Sequence, residues 1–150
     1  MEIVSCFDES IKISVINKVF DDLTEEDLVQ SSKKKLHLFS NILDIDAYDI
    51  AQFINLLQSS FSGSNYFVCV GPYYSNNKRV DEFVTATDPD DIFATYNRER
   101  GMWQREWTIS LRVFFKDFHK IEFIEDIRKR IEESHKHDQF FAGYILDSVA

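Results

Sequence analysis

The clearest pattern in the chain has period two. From Trp103 through Arg105, Trp107, Ile109, Leu111, Val113 and Phe115, one side of an extended segment is mostly apolar, and Gln104, Glu106, Thr108, Ser110 and Arg112 fill the other. Side chains of a strand point to alternate faces, so this stretch predicts a long half-buried strand. Tyr66-Phe67-Val68-Cys69-Val70 predicts another, stopped by Gly71-Pro72. Arg79 to Thr87 and Ile92 to Asn97 read as two more, separated by Asp88-Pro89-Asp90-Asp91, and Glu2 to Phe7 as a short first one. Helical spacing appears elsewhere: Ile11, Val15, Ile16, Val19, Phe20 and Leu23 suggest one helix, although the alternation of Ile11, Ile13 and Val15 competes with it. Thr24-Glu25-Glu26-Asp27 has the form of a capping box, with Leu28, Leu36, Phe39 and Leu43 on one face of the helix it would start. Asp46-Ala47-Tyr48-Asp49 opens a clearer helix with Ile50, Ile54, Leu57 and Phe61 inward, Phe53 and Leu56 widening the stripe, and Gly63 just past its end. A last helix, capped by Asp117, puts Ile121, Ile124, Ile127 and Ile131 on its inner face.

Helices followed by a run of strands predict an α+β domain. The expected architecture is an antiparallel β-meander of about four to five strands packed against several helices, these being mainly N-terminal with one long helix near the C-terminus. No Gly-, Ser- or Pro-rich linker divides residues 1–150, which read as a single domain. In a meander, alternate turns fall at the same end of the sheet. Tyr73 and Tyr74 should then meet Arg98, Arg100 and Trp103 at one tip, with Asp88, Asp90 and Asp91 at the other. The tail Phe140-Phe141-Ala142-Gly143-Tyr144-Ile145-Leu146 is too apolar to be left in water, and reads as a last strand or a short docked helix.

Composition narrows the chemistry more than the fold. Hydrophobic residues at 44% and charged residues at 29% are ordinary for a globular protein, but aromatics reach 15%, there are only four glycines, and the net charge is −9. The charge is uneven: residues 1–63 carry five Lys, no Arg and eleven acids, whereas residues 98–116 are locally basic through Arg98, Arg100, Arg105, Arg112 and Lys116. Such a balance repels nucleic acid and anionic membranes and attracts basic partners. No apolar window approaches a membrane span, no signal peptide opens the chain, and Cys6 and Cys69 sit in apolar runs, so a reducing cytoplasmic setting is expected.

Catalytic patterns are sparse. With four glycines, phosphate-cradling loops have almost no material, and G-x-S-x-G is missing. His135 and His137 would diverge on a helix, and no Cys or third His completes a zinc shell. Asp44-Ile45-Asp46-Ala47-Tyr48-Asp49 resembles a calcium loop, but Asp49 stands where that loop needs Gly, and helix capping accounts for Asp46 and Asp49. No metal, cofactor or catalytic group is expected.

A small, acidic, aromatic-rich chain without a catalytic kit is similar in general character to bacterial toxin-immunity proteins, including those of contact-dependent inhibition systems. The resemblance implies tight stoichiometric binding to a cognate toxin domain, usually a basic nuclease, and it transfers no residues. Carboxylates would steer association and fixed rings would slow release. Asp88, Asp90 and Asp91 are the expected partner-binding acids, the Asp21–Asp27 run is a further candidate, and Tyr73, Tyr74 and Trp103 are the expected anchors. Two other readings stand beside this one. A pocket-forming enzyme or ligand binder would be lined by Trp103, Trp107 and Phe115, with Arg105 on the apolar face needing an anionic partner. A nucleic-acid-associated protein would use the Arg–aromatic tip.

Overall fold

A computed structural model of the chain describes residues 14–28, 34–72, 79–98, 109–119 and 121–136. Four strands form one sheet: β1 (Lys35–Ser40), β2 (Gly63–Gly71), β3 (Asp91–Arg98) and β4 (Ile109–Phe118), in the order β1-β2-β4-β3. Three α-helices accompany them: α1 (Ile50–Ser60), α2 (Arg79–Thr87) and α3 (Ile124–Lys136). The α+β class is as expected. The meander is not, because β1 runs parallel to β2 with α1 as the crossover, and α2 separates β2 from β3.

Each misreading has a local cause. Arg79–Thr87 is rich in β-branched residues, yet Val80, Phe83, Val84 and Thr87 recur at helical spacing and are all buried, with Asp81 and Glu82 suited to the first turn. Lys35–Ser40 is a strand and not part of a helix, because Leu36 and Leu38 alternate with His37 and Phe39. No α-helix occupies residues 14–23; the chain there is irregular up to a single 3₁₀ turn at Phe20–Asp22. Asp117 lies in β4, α3 begins seven positions later at Ile124, and Ile121 is exposed while Ile127 is fully buried. The expected strand at 2–7 and the tail at 140–146 lie outside the described residues.

Where local chemistry is unambiguous, expectation and structure agree. The Asp49 carboxylate accepts from the amides of Ala51 (2.8 Å) and Gln52 (3.2 Å), satisfying two donors that the first turn of α1 leaves open. Ile50, Ile54, Leu57 and Phe61 are buried as their spacing requires. Gly63, at φ 72°, belongs not to the helix end but to the start of β2.

The helices cover one face of the sheet. Phe67 and Phe114 stack at 4.8 Å on the central pair β2–β4, and Phe83 of α2 closes on them from above. The register places Phe67, Cys69, Phe114 and Arg112 on this covered face. The other face has three rows across the strands. Leu36 lies beside Tyr66 and Phe115; Leu38 beside Val68, Val113 and Ala94; Ser40 beside Val70, Leu111 and Tyr96. A bulge between Ile92 and Ala94 turns Phe93 toward Tyr66 on the same side. Leu36 and Leu38 are 71% and 67% exposed. The apolar side of β4 that dominates the sequence pattern therefore faces away from the helices.

Candidate interaction surfaces

The first surface is built by one aromatic residue. Phe20 stacks on Tyr48 at 4.5 Å and meets Phe53 edge-on at 4.5 Å, pinning residues 14–28 against the start of α1. Because that ring faces inward, the extended stretch before it turns Val15, Ile16 and Val19 to solvent, Val19 at 66% exposure. After it, the second 3₁₀ turn, Glu25–Asp27, carries the capping box expected from Thr24 and Asp27: the Thr24 amide donates to Asp27 Oδ2 at 2.9 Å. Lys18 binds the same carboxylate at 2.7 Å. This ammonium, together with the Thr24 amide, holds Asp27 below the usual carboxylate range. Asp21, Asp22, Glu25 and Glu26 are exposed and have no ion pair among the described residues. The segment thus presents four carboxylates, uncompensated among the described residues, beside three exposed aliphatic side chains.

The second surface is the acidic turn singled out in the sequence. Asp88 adopts a left-handed conformation (φ 51°) and breaks α2 from β3. Lys116 of β4 sits between the acids, 3.7 Å from Asp88 Oδ2 and 3.4 Å from Asp90 Oδ1. The Asp117 amide donates to Asp90 Oδ2 at 2.7 Å, and this bond with the neighbouring ammonium lowers the Asp90 pKa. Asp91 pairs in register with Phe115, so it stands at a corner of the sheet face turned away from the helices. A recess of about 170 Å³ adjoins the turn, lined in part by Asp90, Asp117, His119 and Glu122. Glu122 is already bound by Arg130 and by Gln58.

Of the expected anchors, Tyr73, Tyr74 and Trp103 lie outside the described residues, as do Arg105 and Trp107. Their points of attachment are described. β2 ends at Gly71 opposite Ser110, and β3 ends at Arg98 opposite Ile109. Both segments therefore leave the sheet at one end, and Asp88, Asp90 and Asp91 lie at the other.

Sequence reasoning missed the buried guanidinium. Arg112, 2% exposed, makes a two-point contact with Asp81, Nε at 2.8 Å and Nη2 at 2.7 Å, and its Nη1 donates to Asn97 Oδ1 at 2.7 Å. The available signal was its place among Ser110, Arg112 and Phe114, the side of β4 that covers the core. Among the described residues no group of three or more His, Cys, Asp or Glu is placed to hold a metal. His135 pairs with Glu82 at 2.8 Å. Cys69 is fully buried, and burial pushes its thiol up to about 12, so it stays protonated and unreactive at neutral pH. No helix among the described residues is long and apolar enough to cross a membrane. Comparison with known protein families, with curated proteins and with solved structures finds no match for this chain.

Proposed function

We propose that this chain acts by binding a basic protein, in the manner of toxin-immunity proteins, and performs no chemistry of its own. The observation that carries this reading is the segment from Val15 to Glu26. Four carboxylates without a counter-charge among the described residues stand beside Val15, Ile16 and Val19, held in place by the stack of Phe20 on Tyr48. Uncompensated charge steers an oppositely charged partner, and apolar side chains within reach supply contact area once it has arrived. Asp88 and Asp90 share Lys116 and so present less free charge, which makes them a secondary element of the same surface chemistry.

The test is affinity capture from the native source at low and high salt, with the wild type beside a variant carrying Asp21→Lys, Asp22→Lys, Glu25→Lys and Glu26→Lys. One basic protein held stoichiometrically by the wild type and lost from the variant is the expected result. A partner retained equally by both would remove this segment from the interface. Turnover by the purified chain, abolished by changing one titratable side chain, would overturn the reading as a whole.

A further inference from the structure

We infer that residues 14–28 form a detachable strap, which lifts from α1 as one unit while the sheet and the three helices stay folded. The consequence drawn below for partner binding rests on the proposed function; the opening itself does not.

Three observations carry the inference. The first is where the hydrogen bonds of the segment go. The amides of Asp22, Leu23, Asp27 and Leu28 donate to the carbonyls of Val19, Phe20, Thr24 and Glu25, and the Thr24 amide donates to the Asp27 carboxylate. Lys18 closes on the same carboxylate. All of these bonds stay inside the segment, and among the described residues none crosses from it to a strand or an α-helix. Lifting the segment therefore breaks none of them.

The second is the anchorage. Phe20, Leu23 and Leu28 reach the core from the segment, and each is only partly buried. A recess of about 90 Å³ enters the seam, lined in part by Phe20 and Leu23 on one side and by Gln52 and Leu56 of α1 on the other. A protein interior has few voids larger than a water molecule, so this seam is packed less closely than a core.

The third is the floor beneath the strap, which other elements hold in place. Tyr48 donates its hydroxyl to the Ile42 carbonyl at 3.3 Å, and the Arg79 guanidinium lies 4.9 Å from its ring centre. Phe53 meets Phe39 at 5.7 Å and Phe83 at 6.0 Å. The first turn of α1 is capped by Asp49, which Arg128 binds from α3 at 2.8 Å. A unit with few buried apolar contacts, no bonds to its surroundings and a self-supporting floor opens at a lower free energy than the whole molecule. Asp21, Asp22, Glu25 and Glu26 share one fixed surface with Val15, Ile16 and Val19 only while Phe20 is docked. On the proposed function, the closed strap is the form that recognises a basic partner, and apparent affinity scales with the closed fraction.

The experiment is native-state hydrogen exchange on the full-length chain without a partner, reading the amides of Asp22, Leu23, Thr24, Asp27 and Leu28 against those of Ile54 and Leu57 in α1. The strap amides are expected to be protected, yet to exchange at least about a hundredfold faster than those of α1. Phe20→Ala, which removes two ring contacts, is expected to speed the strap amides by about a further tenfold and to leave Ile54 and Leu57 unchanged. Equal rates in the two sets, or a Phe20→Ala variant that speeds both sets alike, would overturn the inference, because the segment would then open only with the whole fold. Strap amides without protection in the wild type, or unaffected by Phe20→Ala, would overturn it as well, since no closed form anchored by that ring would exist. None of these outcomes depends on a partner, so failure here leaves the basic-partner reading to its own capture test.

Discussion

His37 shows how much one position on an edge strand can depend on protonation. Its ring lies 4.6 Å from that of Phe67 and 4.9 Å from that of Phe61, and Nε2 is 3.0 Å from Asn65 Oδ1. The Asn65 amide nitrogen donates to the Gly63 carbonyl, so its oxygen is the acceptor, and neutral His37 carries its proton on Nε2. Burial lowers the His37 pKa from the ordinary 6.5; the bond to Asn65 opposes this, and the Lys35 ammonium adds to it. A folded-state pKa below the unfolded one means that the contribution is complete above about 6.5 and is lost as pH falls through the lower folded value. Denaturant titrations at about pH 8 and about pH 5 should therefore show a loss of stability in the wild type that His37→Gln reduces, since the amide keeps the donor and does not titrate. Equal losses in the two proteins would show that other groups set the acid dependence.

Between elements, Arg112 matters most. Its guanidinium holds Asp81 of α2, Asn97 of β3 and the Tyr96 carbonyl at 3.2 Å, so one side chain of β4 fixes a helix and an edge strand at once. Asp81→Ala would leave a buried charge unpaired and should cost about 3–5 kcal/mol in equilibrium unfolding, whereas Arg112→Met, which removes the charge with it, should cost markedly less. Equal losses from the two would mean that the pair adds nothing beyond packing. Legibility in the sequence divides along the same line. α1, β2 and the strand after Asp91 were readable because caps, turn residues and periodicity are local. α2 was misread because Val80, Val84 and Thr87 carry the composition of a strand at the spacing of a helix. The parallel pairing of β1 was not readable, since nothing in Lys35–Ser40 states which neighbour or direction it takes. Of the candidate surfaces, the acids were visible as types, but whether a cation neutralises them depends on tertiary placement: Lys116 reaches Asp88 and Asp90, while no such group meets Asp21 or Glu25 among the described residues.

At the scale of the whole molecule, the proposed binding would draw on its field. A net charge of −9 is felt over roughly a Debye length, about 8 Å at physiological ionic strength. The association rate with a basic partner should fall steeply as salt rises, while the dissociation rate, set by short-range contacts, changes little. Stopped-flow measurements across ionic strength separate the two, and a salt effect confined to dissociation would contradict electrostatic steering. The strand order carries a consequence of a different kind. β2 lies between β1 and β4, yet α2 and β3 are both translated before β4 begins at Ile109. On the ribosome, the β1-α1-β2 unit emerges with one side of β2 lacking its hydrogen-bonding mate, and a bare strand border of this kind recruits neighbouring nascent chains. Slow codons placed in that interval would prolong the vulnerable stage, and the yield of intact protein is expected to fall with them.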